Sequence, residues 1–423
     1  MTAIEPASPA ASVFPDYPTL LAKPLTERQA RLLERARMHA KDFAQRADEH
    51  DRENTFPFEN YEAMKASGYS TMTLDPKYGG EGVNLLELCA CQEQLGQGCT
   101  GTTVAINMHI FVLGSMQFDL ATSGVMDPMR EMFLNMAGQQ KLIMSGSFSE
   151  TGAAGAYLLP LTKATRTEGG WLINGRKSYN SNLPAAELCG ALVHLVGHPN
   201  GDNLVAMVAV PKNSPGLTTP GAGSWDVLGV RASGSYDTVY ENVFVPDAMM
   251  PAPQDATATF TNMAAFGSWF ALTLAAAYMG AAQAAVNWTR EYVLSRRPQS
   301  EARPLSHMPG IQYAYAEMLA LQEASRALIR TSAEDWMAKP WTGLESNSRA
   351  GMVKYVVGNN NQRVVSLAMD IAGGPGIYRE FGLERLYRDV RVHKAHPPSD
   401  VGALESIAKH DLGIPLDFRP RWG

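Results

Sequence analysis

A chain of 423 residues with 45% hydrophobic and 18% charged residues has the composition of a globular protein with a large core. At roughly 100–200 residues per domain it divides into two to four domains. Its 36 basic and 42 acidic side chains leave a net charge of −6, which offers no general attraction to a polyanion and excludes nucleic acid as an expected partner.

Residues 1–27 are rich in Pro, Ala and Ser, lack a basic segment followed by an apolar core, and read as a flexible lead-in rather than a secretory signal. Thr26 is a plausible N-cap. The helical pattern behind it, with Leu32, Leu33, Ala36, Ala40 and Phe43 at three- and four-residue spacing, runs to about Ala66. A loop with Pro76 and Gly79-Gly80 follows, then helical segments from Leu85 through Leu95, over Ile106–Phe118 and over Met129–Met136. Residues 28–143 are therefore expected to be an all-α domain.

From 144 to 250 short runs alternate Val, Thr, Tyr and Leu with polar residues, and Glu168-Gly169-Gly170, Asn174-Gly175 and Pro215-Gly216 punctuate them. This is the pattern of a small β-barrel or sandwich. From 251 to 423 long apolar-faced helices at 260–294, 310–338, 346–372 and 383–393 imply a four-helix bundle followed by a C-terminal tail. No charge interrupts Ala256–Thr289, a length that can span a bilayer. Its Ala content, with Asn262, Ser268, Gln283 and Asn287, instead predicts a helix buried in the bundle, with no membrane span. The four cysteines, Cys89, Cys91, Cys99 and Cys189, form no CxxC pair. They read as buried thiols of a reducing, cytoplasmic setting rather than a disulfide framework or zinc site.

No P-loop, Rossmann fingerprint, HExxH or GxSxG motif occurs, and no carboxylate cluster has metal-ligand spacing, so no metal is expected. The run Ala372-Gly373-Gly374-Pro375-Gly376 is open to two readings: a helix stop with its turn, or a backbone laid bare to approach a phosphate.

A set of motifs in fixed order resembles the acyl-CoA dehydrogenase family over about residues 28–395. Pro76-Lys77-Tyr78-Gly79-Gly80-Glu81-Gly82 is similar to that family's P-x-x-Y-G-G-x-G loop, and Glu93-Gln94-Leu95-Gly96 to the helix after it. Phe148-Ser149-Glu150-Thr151-Gly152-Ala153 resembles L-T-E-P-x-x-G, and Asn174 to Asn182 resembles N-G-x-K-x-W-I-T-N. Gly229-Val230-Arg231-Ala232-Ser233, Gly373-Gly374-Pro375-Gly376 and Leu386-Tyr387-Arg388-Asp389 match G-x-R-A-S, G-G-x-G and L-x-R-D.

The resemblance implies an α+β fold in three parts and FAD held between the β domain and the bundle. It also implies a homotetramer, or at least a homodimer, in which a neighbouring subunit completes each site. On that reading Ser149 bonds the flavin pyrimidine edge, Ser181 sits near N5 and Tyr179 flanks the ring. Arg296 pairs with the pyrophosphate, which Gly373 and Gly374 approach. The implied chemistry is α,β-desaturation of an acyl-CoA or other acyl thioester, with an electron-transfer flavoprotein or oxygen as acceptor.

One departure stands out. The family's catalytic glutamate aligns with Pro397, and its alternative position on the first bundle helix with Phe270. His396 and Asp400 are the candidate bases in its place, with His393 close by. Arg391-Val392-His393-Lys394-Ala395-His396 is also similar to the R-x-H-x-x-H segment of dibenzothiophene monooxygenase-like members. A flavin-dependent monooxygenase is therefore the second expectation, and a catalytically silent partner subunit the third.

Overall fold

Thr26 does cap the first helix. Its Oγ1 accepts the Gln29 N–H at 3.2 Å while Gln29 Oε1 accepts the Thr26 N–H at 3.1 Å, a reciprocal capping box. The computed structural model describes residues 19–123, 128–151, 159–256 and 264–415. The helical pattern expected to run to Ala66 is broken twice, at Arg46 and before Pro57. It yields α1 (Glu27–Ala44), α2 (Ala47–Glu53) and α3 (Phe58–Ala66). α4 (Leu85–Gly96), α5 (Thr100–Ser123) and α6 (Pro128–Gln139) complete the N-terminal helices.

The lead-in expected to be flexible is anchored from Thr19 onward. Leu20 and Leu21 are buried, and Arg330 donates to the Thr19 and Leu20 carbonyls at 3.0 and 2.6 Å. Residues 1–18 lie outside the described residues.

The middle strands hydrogen-bond as one mixed sheet: β1 (Met144–Ser147), β2 (Lys163–Thr167), β3 (Gly170–Asn180), β4 (Leu188–Val196), β5 (Leu204–Pro211), β6 (Leu217–Thr218), β7 (Tyr236–Pro246) and β8 (Gln254–Asp255). Their order is β6-β7-β3-β2-β4-β5-β8, with β1 alongside β4. β1 and β2 each run parallel to β4, and the other pairs are antiparallel. Gly169, at φ +73°, makes the tight β2–β3 turn that its sequence announced. Trp171, Ile173, Val193, Val208 and Val243 fill the core beneath the sheet. The β3·β7 ladder is bulged twice, the second time between Lys177 and Asn180.

The bundle is built on α7 (Ala264–Ser295), α8 (Pro309–Ala338), α9 (Gly343–Ala372), α10 (Leu383–Val392) and α11 (Asp400–Leu412). α7, the one described helix long and apolar enough to cross a membrane, is buried inside the molecule. Small residues let it press backbone to backbone on α4. A Cβ on Gly96 would stand 2.2 Å from the Ala277 carbonyl, and one on Gly280 2.3 Å from that of Glu93. At this crossing Arg326, from α8, meets Glu93. Both are almost fully buried; Gln283 and the more exposed Glu323 also bind Arg326, and the Leu20 N–H donates to Glu93.

Candidate active site

The second β3·β7 bulge lifts Ser178 and Tyr179 out of the ladder. Tyr179 stands at φ +62°, a left-handed backbone that costs a non-glycine residue, and its ring is 62% exposed. Its edge meets Trp225 at 6.0 Å. Trp225 belongs to one buried cluster with Val104, Val230 and Tyr278. Tyr278 Oη lies 3.0 Å from His396 Nε2, and its ring stacks on His393 at 4.6 Å. Tyr179, Trp225, Tyr278 and His396 therefore follow one another across the seam between sheet and bundle.

Two serines border the same seam. The Ser149 carbonyl accepts the Ser178 N–H at 3.0 Å. Ser181 Oγ lies 2.8 Å from Ser235 Oγ, which reaches Ser233 Oγ at 2.8 Å. Behind them Glu150 is clamped by Thr162 and by Lys177 Nζ at 2.7 Å. Burial alone would raise the Glu150 pKa, but the Lys177 and Thr162 hydrogen bonds hold it below the usual carboxylate range. Asn182 joins the sheet to the N-terminal helices, accepting from Tyr61 Oη and donating to the Ala105 carbonyl at 2.6 Å.

The Arg-Asp pair of α10 is a structural joint. Arg388 grips Asp51 of α2 with both terminal nitrogens, at 3.0 and 2.6 Å, bonds Glu384, and donates to the Leu228 carbonyl. Asp389 Oδ1 accepts the Val230 N–H at 2.6 Å. Val230 is β-branched at φ +51°, a conformation that survives only when its surroundings hold it. Asp389→Ala should therefore cost about 1–3 kcal/mol in urea unfolding, the cost of an unpaired buried amide. Asp389→Asn keeps an acceptor and should lose less; equal losses in the two variants would count against the bond to Val230.

At the far end of α7 stands a second group. Gly373 has φ +61° and ψ −139°, a glycine-only conformation, and the space where Gly373 and Gly374 would carry a Cβ is open. Tyr292 Oη donates to the Ala372 carbonyl at 3.3 Å, and Arg296 follows one turn later without an ion pair to any described residue. At 1.5 Å per residue, Tyr278 and Arg296 are about 27 Å apart along the helix axis. Within one protomer Ser149, Tyr179 and Ser181 lie on neighbouring stretches of the sheet, His396 connects to Tyr179 only through Tyr278 and the Trp225 cluster, and Arg296, Gly373 and Gly374 stand at the far end of α7.

His396 is half-buried. Burial, with the nearby Lys354 charge, lowers its pKa to about 4, so the imidazole is neutral at pH 7. His393 is fully buried with neither ring nitrogen bonded to a described residue, and packs closely on Gly358, where a Cβ would stand 3.0 Å from its Nδ1. Asp400 is not a free base. It opens α11 behind the Ser399 cap, and Lys394 and the buried Lys354 hold its carboxylate at 2.9 and 3.4 Å. Burial would raise its pKa; those lysines keep it low.

Buried neutral histidines make the fold acid-sensitive. The folded pKa of His396 (about 4) and of His109 (about 3) lies below the unfolded value near 6.5, and that of His393 is lowered too. Below pH 6.5 the unfolded chain binds protons that the folded chain refuses. Each ring should then remove up to about 1.4 kcal/mol of stability per pH unit. Urea midpoints should fall from pH 6.5 to 5; a flat profile would contradict neutral burial.

Sequence reasoning missed Tyr278, Trp225 and Lys354. Tyr278 had one usable signal, a lone tyrosine in an uncharged Ala-rich run, whose hydroxyl needs a partner once buried.

Residues 26–123 match the acyl-CoA dehydrogenase N-terminal domain and residues 263–396 the acyl-CoA dehydrogenase C-terminal domain. A putative acyl-CoA dehydrogenase of Bacillus subtilis, YdbM, is 27% identical over 90% of this chain and 97% of its own length. KijD3, solved with FMN and a dTDP-linked amino keto sugar, superposes with a TM-score of 0.82 at 23% identity, covering 96% of this chain and 98% of that one. Butyryl-CoA dehydrogenase of Megasphaera elsdenii does so at 0.81 and 21%, covering 93% and 100%. The chain belongs to the acyl-CoA dehydrogenase family and shares its α+β fold. It is, in class, a flavin-dependent oxidoreductase.

Proposed function

We propose that the chain binds FAD and oxidises an acyl-CoA or other acyl thioester to its α,β-unsaturated form, with His396 as base. Ser149, Tyr179 and Ser181 would hold the flavin ring, and a neighbouring copy's Arg296, Gly373 and Gly374 the diphosphate. An exposed aromatic, bordering hydroxyls and an open glycine cradle beside an uncommitted guanidinium fit a planar ring with an anionic tail. A flavin held there would supply the acceptor for the hydride that leaves the β-carbon. His396 takes the α-proton, and the C–H electron pairs become the new double bond and the hydride. For this Nε2–H donates to Tyr278 Oη, which leaves the lone pair on Nδ1.

The observation that carries the reading is His396 held by Tyr278, which shares a buried cluster with the Trp225 that meets Tyr179, with Pro397 and Phe270 where a carboxylate would stand. That same lack of a carboxylate, with the Arg391, His393 and His396 spacing, favours a second reading as a flavin-dependent monooxygenase. Here His396 would hold the proton instead of taking one from carbon.

The test is to purify the protein, identify its flavin, and add acyl-CoAs of several shapes without oxygen. Bleaching of the flavin absorbance with formation of an enoyl product is expected. Oxygen incorporated into product, with no anaerobic bleaching, would select the second reading. A chain with no flavin would be the silent partner subunit. Sedimentation should give a dimer or tetramer, and a flavin-loaded monomer would remove the neighbour's share of the site. Reoxidation of the reduced flavin, by an added electron-transfer flavoprotein or by oxygen, identifies the acceptor.

A further inference from the structure

A cavity of about 550 Å³ lies between the Pro76–Gly82 loop and helices α5, α7 and α8, and shares no residue with the line from Tyr179 to His396. Volumes of a few hundred cubic ångströms are those of small-molecule sites. Its wall is aromatic: Phe118 meets Trp336 at 4.7 Å, and Trp336 stands edge-on to Trp269 at 6.1 Å. Gly114 makes the arrangement possible, because a Cβ there would fall 2.2 Å from the Trp269 ring.

The wall also carries donors with nothing to donate to. Trp269 and Trp336 are 4% and 1% exposed, and among the described residues neither indole N–H has a hydrogen-bond partner; nor does the buried Tyr78 hydroxyl. Unpaired buried donors of this kind are uncommon in folded proteins, and three on one cavity call for an acceptor. The charged lining residues are Asp75, Glu131 and Lys77, with Lys77 3.8 Å from Glu131 and over the Tyr78 ring. One net negative charge disfavours an anion such as a coenzyme A ester. A cation would leave the indoles unpaired.

We propose that this cavity is a second ligand site, which takes a neutral, flat, largely apolar molecule whose carbonyl-type oxygen accepts hydrogen bonds from Trp269 and Trp336. The experiment titrates the full-length purified protein with prodan, a neutral naphthyl ketone dye, and reads its emission shift and energy transfer from tryptophan. Saturable binding of one dye per chain, undiminished by added FAD or acyl-CoA, is expected. Trp269→Phe and Trp336→Phe keep a ring in place and remove one donor each, and each should weaken binding about 5- to 10-fold. Met337→Trp, on the partly exposed rim, should weaken it by crowding the entrance. Naphthoate and phenyltrimethylammonium should bind more weakly than the ketone. Absence of saturable binding, unchanged affinity in both phenylalanine variants, or tighter binding of either charged probe would overturn the proposal.

Discussion

His396→Ala should slow reduction of the bound flavin by an acyl thioester about 10²- to 10⁴-fold, the usual loss when a positioned base is removed. His396→Gln should be as slow, because an amide can meet Tyr278 Oη but cannot take a carbon-bound proton. Tyr278→Phe removes the partner that orients the ring and should cost less, about 5- to 10-fold for one hydrogen bond. The pH profile gives an independent check. With its pKa lowered to about 4, His396 stays unprotonated across pH 6–8, so the reduction rate should not turn down near 6.5 as it would for a solvent-exposed histidine. It should fall only as the pH approaches 4. Stopped-flow flavin bleaching measures all four, and a His396→Ala rate within threefold of the parent would remove His396 as base.

Arg326→Ala should cost about 3–5 kcal/mol, the penalty for leaving one member of a buried ion pair alone. Glu93 would remain buried, with only Leu20 N–H as a described donor. Burial raises the Glu93 pKa even beside the guanidinium. Without that cation the carboxyl should protonate more readily, so the variant should lose less stability at pH 5 than at pH 8. Replacing both residues with methionine removes the stranded charge and should recover part of the loss. Urea unfolding of the parent, Arg326→Ala and the double methionine variant decides the matter; a single-variant loss under 1 kcal/mol would mean that the pair contributes little to the join between α4, α7 and α8.

Much of this architecture was legible because it rests on local signals. The Thr26 cap, the Gly169 turn and the apolar spacing of the helices each depend on neighbours within a few residues, and ordered motifs supplied the three-part plan. What escaped depends on distant partners. Tyr278 and His396 are 118 positions apart, and nothing near either one points to the other. Leu20 follows a Pro- and Ala-rich sequence with no helical or strand periodicity, yet Glu93 and Arg330 hold its backbone groups from other helices. Asp400 is the converse case: a carboxylate near the expected position, whose pairing with Lys354 and Lys394 no local sequence signal gives. The Arg-Asp motif was correctly found, but its work on Asp51 and Val230 needed the tertiary contacts.

That joint has a consequence for how anything bulky enters or leaves. Arg388 holds α2, Asp389 holds the loop at Val230, and both ride on α10, so neither outer body can swing clear while these bonds persist. Rigid hinge opening is thereby closed off as a route. Exchange of a tightly seated prosthetic group should instead wait on rare partial unfolding, and sub-denaturing urea should quicken it well before the global transition.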